Sequence, residues 1–244
     1  MSEGKPSAWG VDLHPVLQWK FDFERAVKDG WTDFFIKVSE GPYRDGSVLP
    51  LPKLREFVHR AEAAGGRIGF YAYLVESFAD EGKSGRANAE HFLQRVDSVG
   101  GPEGRLIIAD FEEYPSTKFK FLSPTNGNLE AFGEFVKDRL GRNHPYMIYS
   151  THGYWTGGKP SGPVERYGTK LTWDAQLAKD EFVPHPRAYY HKMEHWGWHD
   201  SVWGGVVPIY WQFTWKGHVG GLNVDCDACR LSRKEHKELW DRAA

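Results

Sequence analysis

The residues best suited to chemistry lie in one stretch, Arg105-Leu106-Ile107-Ile108-Ala109-Asp110-Phe111-Glu112-Glu113-Tyr114. A charge, four apolar residues and then three carboxylates among four positions read as a strand buried on both faces, with a far end that opens into a polar cavity. Side chains at i and i+2 of a strand share a face, so Asp110 and Glu112 project together while Phe111 and Glu113 point the other way. A rise of about 3.3 Å per residue separates their Cα atoms by roughly 6 to 7 Å. Paired carboxyl groups about 5 to 5.5 Å apart suit glycosidic cleavage with retention, and about 6.5 to 9.5 Å suit inversion. The spacing leans towards retention without excluding inversion.

Such a strand belongs in a parallel sheet, where the carboxyl ends of strands carry the chemistry. The rest of the chain supplies that sheet. Trp9 to His14 reads as a first strand ending on Asp12 and His14, and Phe34 to Val38 as a second, followed by Ser39-Glu40-Gly41. Arg67 to Leu74 is a third strand and Tyr146 to Ser150 a fifth, after the acid-bearing fourth. Leu171 to Ala175, Val206 to Thr214 and Leu222 to Asp225 complete eight, the last again ending on a carboxylate. Amphipathic periodicity predicts helices over 18–28, 52–64, 84–96, 126–140 and 232–242, with Asn126 as a cap and Gly30, Gly65-Gly66 and Gly141 as stops. Strand and helix alternate cleanly in the first half and less so later. The pattern predicts an α/β fold, an irregular (β/α) TIM-like barrel of eight strands and about five helices, filling 1–244 as one domain.

Composition narrows the function. With 40% hydrophobic and 26% charged residues the chain is that of a globular protein, and a formal charge of -2 gives no polycationic face for nucleic acid. No apolar run approaches the length of a membrane span, and Met1 to Pro6 lacks the apolar centre of a signal peptide. Cys226-Asp227-Ala228-Cys229 has no second ligand pair of matching spacing, so neither metal nor cofactor is expected. Aromatic content is high, at 15%. Much of it falls in polar loops, above all in 176–205, where an aromatic face suits stacking on a sugar. A loop of that length is usually functional or disordered, and its aromatic content argues against disorder.

The succession of Gly10-Val11-Asp12, Ile36-Lys37-Val38-Ser39-Glu40-Gly41, Gly69-Phe70-Tyr71-Ala72-Tyr73, Asp110-Phe111-Glu112, Ile148-Tyr149-Ser150, Trp173, Trp211-Gln212-Phe213-Thr214 and Val224-Asp225 resembles family 25 of the glycoside hydrolases. These are lysozymes that cleave the bond between N-acetylmuramic acid and N-acetylglucosamine in peptidoglycan. The resemblance implies an irregular eight-stranded barrel, a catalytic pair at Asp110 and Glu112, and Asp12 and Asp225 as further acids of the cleft. It also implies a bacterial wall polysaccharide as partner, with no membrane and no nucleic acid, acted on by a monomer. Without an export signal the chain would fit a phage endolysin held in the host cytoplasm until release; an enzyme whose signal was trimmed would act extracellularly. The long 176–205 segment and the two cysteines depart from the family's pattern.

Glu112 is expected to sit deepest of the acids and to serve as acid and then base, because burial beside other carboxylates raises a carboxyl pKa. Asp110 is expected to stay ionised, either attacking the anomeric carbon or orienting the substrate's N-acetyl group. Tyr71, Tyr149, Trp173 and Gln212 are candidates to line the sugar subsites, together with Lys37 and Glu40 at the end of the second strand; a Lys37 salt bridge is equally plausible. His14 reads as a structural imidazole. The competing readings are a carbohydrate-binding barrel without catalysis, a hydrolase of another N-acetylated polysaccharide, and a metal-dependent phosphodiesterase barrel.

Overall fold

The structure is a computed structural model that describes residues 6–41, 48–77, 84–113, 121–156, 162–176, 182–193 and 205–244. Its first half alternates strand and helix except for the short β4: β1 (Ala8–Leu13), α1 (Phe23–Lys28), β2 (Asp33–Glu40), α2 (Leu51–Ala63), β3 (Arg67–Tyr73), β4 (Glu76–Ser77), α3 (Ser84–Ser98) and β5 (Leu106–Asp110). The second half holds β6 (Phe121–Leu122), α4 (Asn126–Leu140), β7 (Tyr146–Thr151), α5 (His152–Thr156), a 3-10 turn at Val164–Tyr167, β8 (Leu171–Ala175), α6 (Pro186–Met193), β9 (Tyr210–Val219), β10 (Leu222–Cys229) and α7 (Arg233–Asp241).

Eight strands close into a barrel in the order β1-β10-β9-β8-β7-β5-β3-β2, and β4 pairs with β6 outside it. Each strand alternates between two apolar clusters. Phe35, Tyr71, Ile108, Met147, Tyr149, Trp173 and Tyr210 fill the inside, while Val11, Ile36, Phe70, Ile107, Ile148, Trp211 and Val224 pack outward against the helices. Both faces of each strand are therefore apolar, which explains the continuous hydrophobic runs seen in sequence.

The strand count matches the expectation, and the direction of one strand differs from it. β10 is antiparallel to both β1 and β9, whereas the other neighbouring pairs of the barrel are parallel. Because β9 continues to Val219 and turns back through Gly220 and Gly221, both with positive φ, the last strand runs downward and ends on Cys229 rather than on Asp225. β9 also starts at Tyr210, four residues after the expected Val206.

Helices over the expected five stretches are present, with α1 shorter than predicted because Asp22 caps it and accepts a bond from the Arg25 N–H. At α4 the cap is Thr125 rather than Asn126: Thr125 and Asn128 form a reciprocal capping box. α5 and α6 are additional. α6 falls in the stretch read as a long loop, and its Tyr190 docks edge-on against Trp9 at 5.0 Å and Phe213 at 5.4 Å on the barrel's outer face. Part of that stretch's aromatic content thus belongs to the core. His195, Trp196, Trp198, His199 and Trp203, like Tyr114, lie outside the described residues. No helix among the described residues is long and apolar enough to cross a membrane.

Candidate active site

The parallel strands direct their carboxyl ends to one mouth, and the inward parity of several of them delivers a polar side chain there. Asp12 from β1 and Asp225 from β10 are directly paired across the antiparallel ladder. Asp110, the last residue of β5, pairs with Tyr73 on one side and Tyr149 on the other. The Phe111 N–H still donates to the Tyr149 carbonyl at 2.9 Å, which carries the chain one step further before Glu112. Asp110 and Glu112 repel one another, as do Asp12 and Glu112, so the mouth gathers the acids that the sequence placed there.

Their depths differ from expectation. Asp110 is buried, at 5% exposure, while Glu112, Asp12 and Asp225 are only partly buried. Asp110 is the deepest because it ends the ladder on a short side chain; Glu112 stands past the ladder on a longer one. Glu113 is exposed, and its carbonyl accepts a bond from the Tyr73 hydroxyl at 3.2 Å.

Electrostatics follow from this crowding. Burial, then the charge of Asp12, raises Glu112 to about 7, against the opposing pull of Lys37. Asp12 also rises to about 7 through burial, moderated by a hydrogen bond from Tyr71 and by Lys37. Asp110 and Asp225 are pushed well above the usual carboxylate range, first by burial and then by neighbouring acids. Burial and the neighbouring acids thus both oppose ionisation of Asp110, which the expectation of an ionised carboxylate did not include. Among the described residues its Oδ1 has no hydrogen-bond partner. Sites this close titrate as a group, so the protons belong to the cluster rather than to one residue.

Lys37 lies beside these acids and bonds Glu40 at 2.7 Å, with Tyr73's ring 4.9 Å from its Nζ. Strict alternation would put residues three apart on opposite faces. A register shift between Lys37 and Ser39 inserts one extra residue and turns both side chains inward. Nearby His14 is lowered to about 4 by burial and by Lys37, so it is neutral at pH 7.

The floor beneath the acids is aromatic and amide. Tyr149 donates to Gln212 Oε1 at 3.0 Å, and Gln212 Nε2 reaches Asp225 Oδ2 at 3.5 Å. Tyr71 and Tyr149 are buried with only a few per cent exposed, at 6% and 7%. Trp173 is at 1%, its ring packed on Phe35 at 4.5 Å and Tyr149 at 4.7 Å, so it supports the floor rather than presenting a face to solvent. Its indole N–H donates to Asp227 Oδ1 at 2.9 Å. Asp227 is a further inward acid that was not among those expected at the cleft; its i+2 spacing from Asp225 along β10 is the sequence signal for it. Cys226 and Cys229 are free and buried, and they contribute to the outer and inner clusters respectively.

A closed eight-stranded barrel with a carboxylate cluster at the mouth formed by the carboxyl ends of its parallel strands carries that cluster where barrel enzymes hold their active sites. The sequence profile of the glycosyl hydrolases family 25 matches residues 16–222, so the chain belongs to that family and is a glycoside hydrolase. Asp12 and Asp225 fall outside the matched span. No curated protein sequence matches the chain significantly. Among solved structures, the bacterial lysozyme from Streptomyces coelicolor superposes with a TM-score of 0.69 at 19% identity, covering 100% of both chains. The muramidase from Acremonium alcalophilum gives 0.65 at 18%, over 97% of this chain and 98% of that one. The catalytic domain of endolysin ply40 from bacteriophage P40 of Listeria monocytogenes gives 0.59 at 16%, over 100% and 98%. At these identities the likeness is one of fold.

Proposed function

We propose that this glycoside hydrolase is a lysozyme, cleaving the β-1,4 bond between N-acetylmuramic acid and N-acetylglucosamine in peptidoglycan with retention, with Glu112 as acid and base. The observation that carries the reading is the carboxylate cluster at the mouth, in which Glu112 keeps its proton up to about 7 while remaining partly open to solvent. The fold shared with proteins described as lysozyme and muramidase supports the choice of substrate.

In the first step Glu112 gives its proton to the glycosidic oxygen as the bond from that oxygen to the anomeric carbon breaks. A new bond to that carbon forms from Asp110 or from the carbonyl oxygen of the substrate's own N-acetyl group. Either role needs Asp110 ionised. Its pKa is held up by burial and by neighbouring acids, and two features of bound substrate would draw it down: an amide N–H donated to the carboxylate, and positive charge growing at the anomeric carbon. In the second step the bond from the anomeric carbon to Asp110 or to the acetamide oxygen breaks as a water oxygen bonds to that carbon, and Glu112, now ionised, takes the proton from the water, so that acid and carboxylate are both regenerated. Asp12 holds up the Glu112 pKa, Lys37 limits the rise, and Gln212 positions Asp225.

Mass spectrometry of digested peptidoglycan tests the bond specificity. New reducing ends should be N-acetylmuramic acid, with activity undiminished by chelator; N-acetylglucosamine at the new reducing end would overturn the assignment.

A further inference from the structure

Only five large apolar side chains among the described residues are conspicuously exposed, Val16, Leu17, Phe182, Val207 and Trp215, and Trp215, at 44%, is the one tryptophan. Its place in the ladder is unusual. Between the pairs Thr214↔Cys226 and Gly217↔Val224, β9 contributes Trp215 and Lys216 where β10 contributes Asp225 alone. That is a β-bulge opposite an acid of the mouth, and bulges re-aim side chains at the rims of barrels.

The bulge is held from several sides. The Lys216 N–H donates to Thr214 Oγ1 at 3.2 Å. Val183 lays a further backbone segment along the hairpin, its N–H donating to the Lys216 carbonyl at 2.9 Å and its carbonyl accepting from the His218 N–H at 2.9 Å. At Gly217 a Cβ would stand 2.2 Å from Cys226 Sγ and 2.8 Å from Pro186, so glycine is what lets the hairpin close on β10 and α6. A half-exposed indole thus stands on a fixed mount beside the acid cluster.

We propose that Trp215 is the stacking platform of a rim subsite on the Asp225 side of the mouth, taking the apolar face of a pyranose ring in the glycan chain beyond the two sugars that flank the cleaved bond. This rests on the reading of the mouth as a glycan-cleaving site. An indole offers a large rigid apolar surface at little entropic cost. Its neighbours on the hairpin, Lys216, His218 and Asn223, are polar, which matches a sugar with one apolar face and a hydroxylated edge better than a protein partner needing a broad apolar patch.

The test uses Trp215→Ala and Trp215→Phe on polymeric peptidoglycan and on a soluble disaccharide of N-acetylmuramic acid and N-acetylglucosamine, which fills only the two flanking positions. Loss of one stacked ring predicts a KM for the polymer raised about tenfold in Trp215→Ala. The kcat should change little, Trp215→Phe should recover most of the loss, and the disaccharide KM should move far less. Wall binding by sedimentation, with Glu112→Gln as the common background, gives a readout independent of turnover and should fall on adding Trp215→Ala. Unchanged KM and unchanged wall binding in Trp215→Ala, with the wild type hydrolysing walls, would sink the subsite and leave the proposed function standing. Trp215-dependent wall binding by a wild type that hydrolyses nothing would do the reverse.

Discussion

The two ends of the barrel treat a buried carboxylate in opposite ways. Asp33, the first residue of β2, is fully buried at the floor. Its Oδ1 accepts from Arg67 Nε at 2.7 Å, and its Oδ2 lies 2.7 Å from the Tyr210 hydroxyl and 2.8 Å from His236 Nε2. Burial alone would raise its pKa, but the His236 bond and charge, with Arg67 and Tyr210, hold it below the usual carboxylate range. Asp110 at the mouth is nearly as buried, its Oδ1 has no hydrogen-bond partner among the described residues, and the charges around it are those of acids opposed by Lys37. Burial sets no charge state by itself; the partner set does. The floor is arranged to be satisfied and fastens α7, while the mouth keeps unmet hydrogen-bonding capacity that a substrate can fill.

That contrast can be broken most sharply at Glu112. Glu112→Gln should lower peptidoglycan hydrolysis by about 10²- to 10⁴-fold, the usual worth of general acid–base catalysis, with circular dichroism unchanged; more than a tenth of wild-type lysis remaining would refute its role. At the opposite end of the barrel, His236→Ala should destabilise by about 1 to 3 kcal/mol, because it removes one partner from buried Asp33 while Arg67 and Tyr210 keep theirs. Chemical denaturation measures this, and a loss below about 1 kcal/mol would mean that water replaces the imidazole without penalty.

The pH dependence of stability separates the ends by sign. A carboxyl whose folded pKa is raised binds more protons folded than unfolded between its two pKa values, so its contribution is lost as pH rises from about 4 to the folded value of about 7 for Glu112. Asp33, being depressed, contributes above its unfolded pKa of about 3.9 and loses that contribution as pH falls through its lower folded value. The melting-temperature difference between wild type and Glu112→Gln should therefore drift in the variant's favour between about pH 4 and 7 and level off above. A difference independent of pH would show that Glu112 is not perturbed. The smallest effect concerns rate. Asp12→Asn removes a charge that raises Glu112, so the alkaline limb of kcat/KM should move to lower pH, by about half a unit to one unit. Lys37→Met should move it the other way.

Much of this architecture was legible because strands and helices advertise their periods. The inward parity of Asp12, Tyr71, Asp110, Tyr149, Trp173 and Gln212 follows from alternation along apolar runs, and the structure places all six on the barrel's inner side. Depth was not legible: Asp12 and Asp110 both point inward near the ends of apolar runs, yet Asp110 is buried and Asp12 only partly so. Nor could alternation place residues beyond a ladder's end, which is why Glu112 was expected deeper than Asp110.

By itself, then, the sequence determined the number of barrel strands, the face each inward residue takes and the clustering of acids at one end, since these follow from local periodicity and from the sheet type that doubly apolar strands require. Only the tertiary structure decided the reversal of β10, the bulge that brings Lys37 and Glu40 to one face, the second bulge that carries Trp215, and the bond from His236 back to Asp33 across 203 residues. Strand direction, register shifts and long-range pairing are set when the ring closes, and no window of neighbouring residues contains the energies that choose among them.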